Sequence, residues 1–85
     1  MEVVFSKQSY KDYEKLKQHT SLVEKVKALV ELLKENPYTK LPSYEKLIGF
    51  SNIYSRRINN QHRLVYEIRE TESIVVIIRM QNHYE

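Results

Sequence analysis

Tyr54-Ser55-Arg56-Arg57-Ile58-Asn59-Asn60-Gln61-His62-Arg63-Leu64-Val65-Tyr66 is the stretch around which the rest of the chain can be arranged. Aromatic and β-branched residues flank the polar cluster Asn59-Asn60-Gln61, which is how a sequence punctuates a β-hairpin. Side chains alternate along a strand, so Arg63 shares one face with Val65 and Glu67, while Leu64, Tyr66 and Ile68 share the other. The sequence leaves the hairpin register open. Arg56 and Arg57 are adjacent, however, so one of them lies on the face of Arg63 in either register. Two guanidinium groups side by side across a ladder repel each other. An anion seated between them relieves that repulsion, and the planar fork of arginine suits phosphate. A solvated basic edge, which discourages edge-to-edge aggregation, is the alternative reading of the same residues.

On the C-terminal side, Glu70-Thr71-Glu72-Ser73 reads as a second polar turn. Ile74-Val75-Val76-Ile77-Ile78 follows, apolar at every position, as expected of a central strand covered on both faces. On the N-terminal side, residues 36–52 hold both prolines and the only glycine, Gly49, and read as a loop-rich link. Before it, Leu22, Val26, Leu29, Val30 and Leu33 form one helical stripe, which Pro37 should end, with Ser21-x-x-Glu24 matching a capping box. An earlier helix is expected over about residues 7–18, capped by Ser6, with Tyr10, Tyr13 and Leu16 facing the core and Phe5 stapled to Tyr10. Val3-Val4-Phe5 supplies a first strand. The expected architecture is an α+β domain spanning 1–85, in the order β-α-α-β-β-β, with two N-terminal helices packed on an antiparallel sheet.

Eighty-five residues fit one domain near the lower size limit for folding without staples. The chain has no cysteine, so disulfides and thiolate metal sites are excluded, and a reducing cytoplasm is the expected compartment. No signal peptide and no membrane span are apparent. His19, His62 and His83 lack the spacing of a zinc motif, and one glycine cannot make a phosphate-cradling loop, so neither metal nor cofactor is expected. Net charge is +3, but its distribution is uneven: residues 1–40 hold eight lysines and no arginine, while all five arginines lie between 56 and 79. Clustered arginine with interleaved tyrosine points to an anionic partner such as nucleic acid.

Metal-free RNA cleavage needs few parts. A base takes the ribose 2′-OH proton, an acid protonates the departing 5′-oxygen, and cations stabilise the charge developing on phosphoryl oxygens. Glu45, His83 and Arg63 are residues of those three types, and histidine titrates near neutrality, with a reference pKa of about 6.5.

Three blocks in order, Tyr54-Ser55-Arg56-Arg57-Ile58, His62-Arg63-Leu64-Val65-Tyr66 and His83-Tyr84, resemble the YoeB/Txe group of RelE-like bacterial toxins. The likeness extends to Pro37-Tyr38 and Tyr44-Glu45-Lys46-Leu47, and so covers nearly the whole chain. The resemblance implies a RelE-like fold and a ribosome-dependent endoribonuclease that cuts mRNA in the ribosomal A site and stops translation. It implies neutralisation by a YefM/Axe-type antitoxin, and it leaves monomer or homodimer open. By that likeness Glu45 is the general base, His83 the general acid and Arg63 the phosphate-stabilising residue, and Tyr84 orients or stacks on the RNA. Arg56 or Arg57 adds a backbone contact, and Lys46 is a further substrate-binding candidate. The chain departs from the family pattern at Ile48, where some members are basic, and at Asn52, where glycine is expected and a positive φ must be tolerated. A non-catalytic binder on the same scaffold, like the ParE-type toxins that poison a topoisomerase, is the other reading. Such a binder needs neither Glu45 nor His83.

Overall fold

The computed structural model describes residues 1–39, 44–46, 49 and 51–82, with 81 and 82 described through their backbone. The elements run β1 (Glu2–Phe5), α1 (Lys7–Leu16), α2 (Thr20–Glu35), β2 (Tyr44–Lys46), β3 (Ile53–Arg57), β4 (His62–Arg69) and β5 (Ile74–Asn82). The strands form one sheet in the order β1-β5-β4-β3-β2. β1 lies parallel to β5, and every other pairing is antiparallel. The expected α+β fold with two N-terminal helices on the sheet is present, with one strand more than expected. β2 falls inside the stretch read as a loop-rich link. It is three residues long, too short to show a period, and it pairs with the next strand in the chain.

The hairpin forms where the sequence places it. Asn59 closes the turn with its side chain: Oδ1 accepts from the backbone N–H of Gln61 at 2.8 Å and of His62 at 2.7 Å. The core gathers on one face of the sheet, where Leu64, Tyr66, Ile68, Val75, Ile77 and Met80 meet Leu16 of α1 and Leu22, Val26, Leu29 and Leu33 of α2. Each fully buried aliphatic side chain contributes about 1.5–3 kcal/mol of transfer free energy. β5 was expected to be covered on both faces. Val75 and Ile77 are indeed buried, whereas Ile74, Val76 and Ile78 are only half-buried, because the helices contribute to the core on one side alone.

The start of α1 agrees with the sequence reading apart from the staple, and the start of α2 does not. Ser6 does cap α1, accepting from the Ser9 N–H at 3.1 Å, and its hydroxyl also donates to the Ile78 carbonyl at 3.0 Å. The staple to Tyr10 is absent: Tyr10 is 57% exposed, and Phe5 instead meets the ring of Tyr13 at 6.5 Å. α1 buries Ser9, Asp12 and Leu16 rather than Tyr10. Asp12 explains the shift. Its carboxylate accepts from Arg79 Nε and the Met80 N–H, both at 2.9 Å, so a charged residue takes the core-facing position. α2 begins at Thr20 after His19, with no side-chain cap, so Ser21 lies inside the first turn and the capping box does not form. The helix ends at Glu35, ahead of Asn36-Pro37, as the proline requires.

Asn52 does not take a positive φ; among the described residues only Gly49 and Ser73 do. Its side chain instead donates to Glu67 Oε2 at 3.0 Å, tying the entry of β3 to β4.

Candidate active site

Ladder pairing decides which polar residues share a face. Glu45 stands opposite Ser55, Ser55 opposite Val65, and Arg57 opposite Arg63. Cross-strand partners project to the same side. Glu45, Ser55, Arg57 and Arg63 therefore lie together on the face turned away from Leu64 and Tyr66. Arg63 Nη1 donates to Ser55 Oγ at 3.1 Å and lies 3.3 Å from Glu45 Oε1. The Glu45 side chain is 69% exposed and that of Arg63 22%, so the pair sits at a mouth open to solvent. An ion pair so exposed is worth about 0–1 kcal/mol, and a bound anion can readily replace it.

Beside the pair lies a recess of about 430 Å³ lined by Lys25, Glu45, Arg57, Ile58, Asn59, Asn60 and Arg63. Its charged lining is three cations against one carboxylate. Arg57 and Arg63 face each other across the ladder with Cβ atoms on the order of 4.5–5.5 Å apart. That places two guanidinium groups where a single phosphate could contact both. Lys25 comes from the exposed side of α2. Its position beside the hairpin tip is a tertiary fact without a local sequence signal, and Ser55 likewise gains its role only from the register.

The same register sends Arg56 the other way. It is 0% exposed, with Nε donating to the Tyr66 hydroxyl at 2.9 Å and Nη2 donating to the carbonyls of Pro37 and Thr39 at 3.2 and 2.6 Å. Its guanidinium lies 4.9 Å from the centroid of the Tyr44 ring. Burial pushes the Tyr66 phenol above its ordinary pKa, and the charge of Arg56 and its hydrogen bond pull the other way. Of the two adjacent arginines, then, Arg57 faces the recess and Arg56 presents no surface to a substrate. Lys46 is exposed but pairs with Tyr54, so it projects to the face opposite Glu45. Ile48, His83 and Tyr84 lie outside the described residues. β5 is described as far as Asn82, which pairs with His62, the neighbour of Arg63. Among the described residues no group of three or more His, Cys, Asp or Glu could hold a metal ion, and no helix is long and apolar enough to cross a membrane.

Small toxins share this fold. The YoeB/ParE toxin from Agrobacterium tumefaciens superposes with a TM-score of 0.88 at 31% identity, covering 99% of this chain and 100% of that one. A YoeB dimer from Staphylococcus aureus gives 0.84 at 31% identity over 99% of this chain and 98% of that one. Toxin YoeB of Synechocystis sp. is 30% identical across 100% of this chain and 99% of its own length. The profile described as YoeB-like toxin of bacterial type II toxin-antitoxin system matches residues 5–84, and the chain belongs to that family.

Proposed function

We propose that residues 1–85 act as one toxin domain that cleaves mRNA in the ribosomal A site by metal-free acid–base catalysis and so inhibits translation. The observation that carries this reading is the approach of Arg63 Nη1 to within 3.3 Å of Glu45 Oε1, with Arg57 opposite Arg63 across the ladder. A scissile phosphate entering the recess takes the guanidinium of Arg63 and frees the carboxylate. Glu45 then accepts the ribose 2′-OH proton, the 2′-oxygen attacks phosphorus, and Arg63 with Arg57 stabilises the negative charge on the phosphoryl oxygens. The 5′-oxygen leaves with a proton from His83, while Tyr84 stacks on the RNA. His83 is the next residue in the chain after Asn82, whose backbone pairs with His62, the neighbour of Arg63. Lys25 extends the cationic lining along the RNA backbone.

A YefM/Axe-type antitoxin is the proposed inhibitor, supported by a Staphylococcus aureus YoeB-YefM complex of the same fold, at 31% identity and TM-score 0.82. A homodimer is the proposed assembly, after the dimer of the relative from the same organism. The chemistry fixes the products. Cleavage should leave a 2′,3′-cyclic or 3′-phosphate and a 5′-hydroxyl, and a 2′-deoxy nucleotide at the attacked position should stop it. A 5′-phosphate product would contradict the mechanism.

A further inference from the structure

The strand that carries Glu45 is held by little of its own. β2 is three residues long and, among the described residues, lies at the sheet edge and pairs only with β3. A short edge strand opens locally at low cost, yet a general base must keep its place to within a fraction of an ångström. What fixes it lies behind it, on the buried face. Arg56 stands directly opposite Tyr44, with its guanidinium 4.9 Å from the centroid of that ring. The Tyr44 ring also meets Tyr54 edge-on at 5.4 Å, and Tyr54 in turn stacks on Tyr66 of β4 at 5.9 Å. Through Nη2 the guanidinium takes the carbonyls of Pro37 and Thr39, in the segment that follows α2. Its Nε donates to the Tyr66 hydroxyl, on the middle strand of the sheet.

One buried guanidinium thus joins the middle strand, the segment after α2 and the aromatic residue adjacent to Glu45. We propose that Arg56 is a positioning residue, which from inside the core fixes β2 and through it the carboxylate of Glu45. The inference rests on the reading of Glu45 as general base. It assigns Arg56 a task different from that of Arg57, although the two are neighbours in the chain. Lysine cannot replace it, because a single ammonium has no second nitrogen to reach the Tyr66 hydroxyl while it serves the two carbonyls, and no planar face to lay against Tyr44.

The test uses Arg56→Lys and, because a buried charge is delicate, Tyr44→Leu, which removes the ring and leaves Arg56 its other acceptors. Hydrogen exchange is followed at Tyr44–Lys46 and across β4 and β5, and single-turnover cleavage of ribosome-bound mRNA is measured against ribosome concentration. Both variants should exchange about tenfold faster at Tyr44–Lys46 while β4 and β5 stay protected. The rate at saturation should fall roughly tenfold to a hundredfold, with the half-saturating concentration within about twofold of wild type. Weakened binding with an intact saturated rate would make Arg56 a substrate contact and overturn the proposal. Uniform loss of protection across the sheet, with the rate per folded molecule unchanged, would make it an ordinary core residue and overturn it equally. Should the wild-type chain fail to cleave, the proposed activity falls, and the exchange pattern alone still decides whether Arg56 holds β2.

Discussion

Arg56 and Arg57 are consecutive, chemically identical and on the same strand, yet one is wholly buried and the other exposed. Strand alternation alone separates them. On the buried side, the guanidinium holds a tyrosine hydroxyl, two carbonyls and a ring. On the open side, Arg57 and Arg63 face each other over a recess, and the weak pair of Arg63 with Glu45 leaves their charge available. The lesson is that an arginine cluster is not one site. A buried guanidinium spends its hydrogen bonds on holding structure, and only its solvent-facing neighbour can offer them to a ligand.

The largest effect expected to test that contrast comes from Arg63→Ala. It should lower cleavage by at least about a hundredfold, since losing one charge-stabilising donor costs about 2.7–4 kcal/mol at comparable sites. The melting temperature should fall only modestly, because the ion pair opens to solvent at Glu45 and the other loss is one hydrogen bond to Ser55 Oγ. Turnover like wild type from a folded Arg63→Ala protein would take Arg63 out of the mechanism.

A smaller effect concerns the other buried clamp. Burial pushes the Asp12 carboxyl up, but Arg79, the Met80 N–H and Gln8 outweigh it and hold it below its ordinary value of 3.8. The folded protein therefore binds this proton less readily than the unfolded chain. The resulting stability is complete above the unfolded value and is lost as pH falls through the folded one. In urea titrations the advantage of wild type over Asp12→Asn should be constant near neutrality and shrink below about pH 4. An advantage that survives unchanged to about pH 2 would remove the clamp from the account.

Much of this was legible in the sequence, for physical reasons that differ by element. The hairpin could be read because Asn59-Asn60-Gln61 and the flanking β-branched and aromatic residues are local signals. α2 could be read because its stripe repeats from Leu22 to Leu33 and Pro37 stops it. β2 could not: three residues show no period, and they stand among both prolines and the only glycine, which read as a loop. Tyr10 was misplaced because an aromatic at helical spacing ordinarily outranks an aspartate for burial, and only the partner Arg79, sixty-seven residues away, reverses that order. The register was the largest missing piece. Without it the sequence identifies the arginines but cannot sort Arg56 from Arg57, nor find Ser55 and Lys25 beside them.

The most direct measurement is a map of mRNA 5′ ends after brief induction of the wild-type chain and of Glu45→Gln. Glu45→Gln keeps the shape of the side chain and removes its charge, and general-base catalysis typically contributes about 10²–10⁴-fold. The account predicts cuts phased with codons for wild type and their near disappearance for the variant at equal protein level. Unphased ends for wild type, or the same phased cuts from Glu45→Gln, would contradict it.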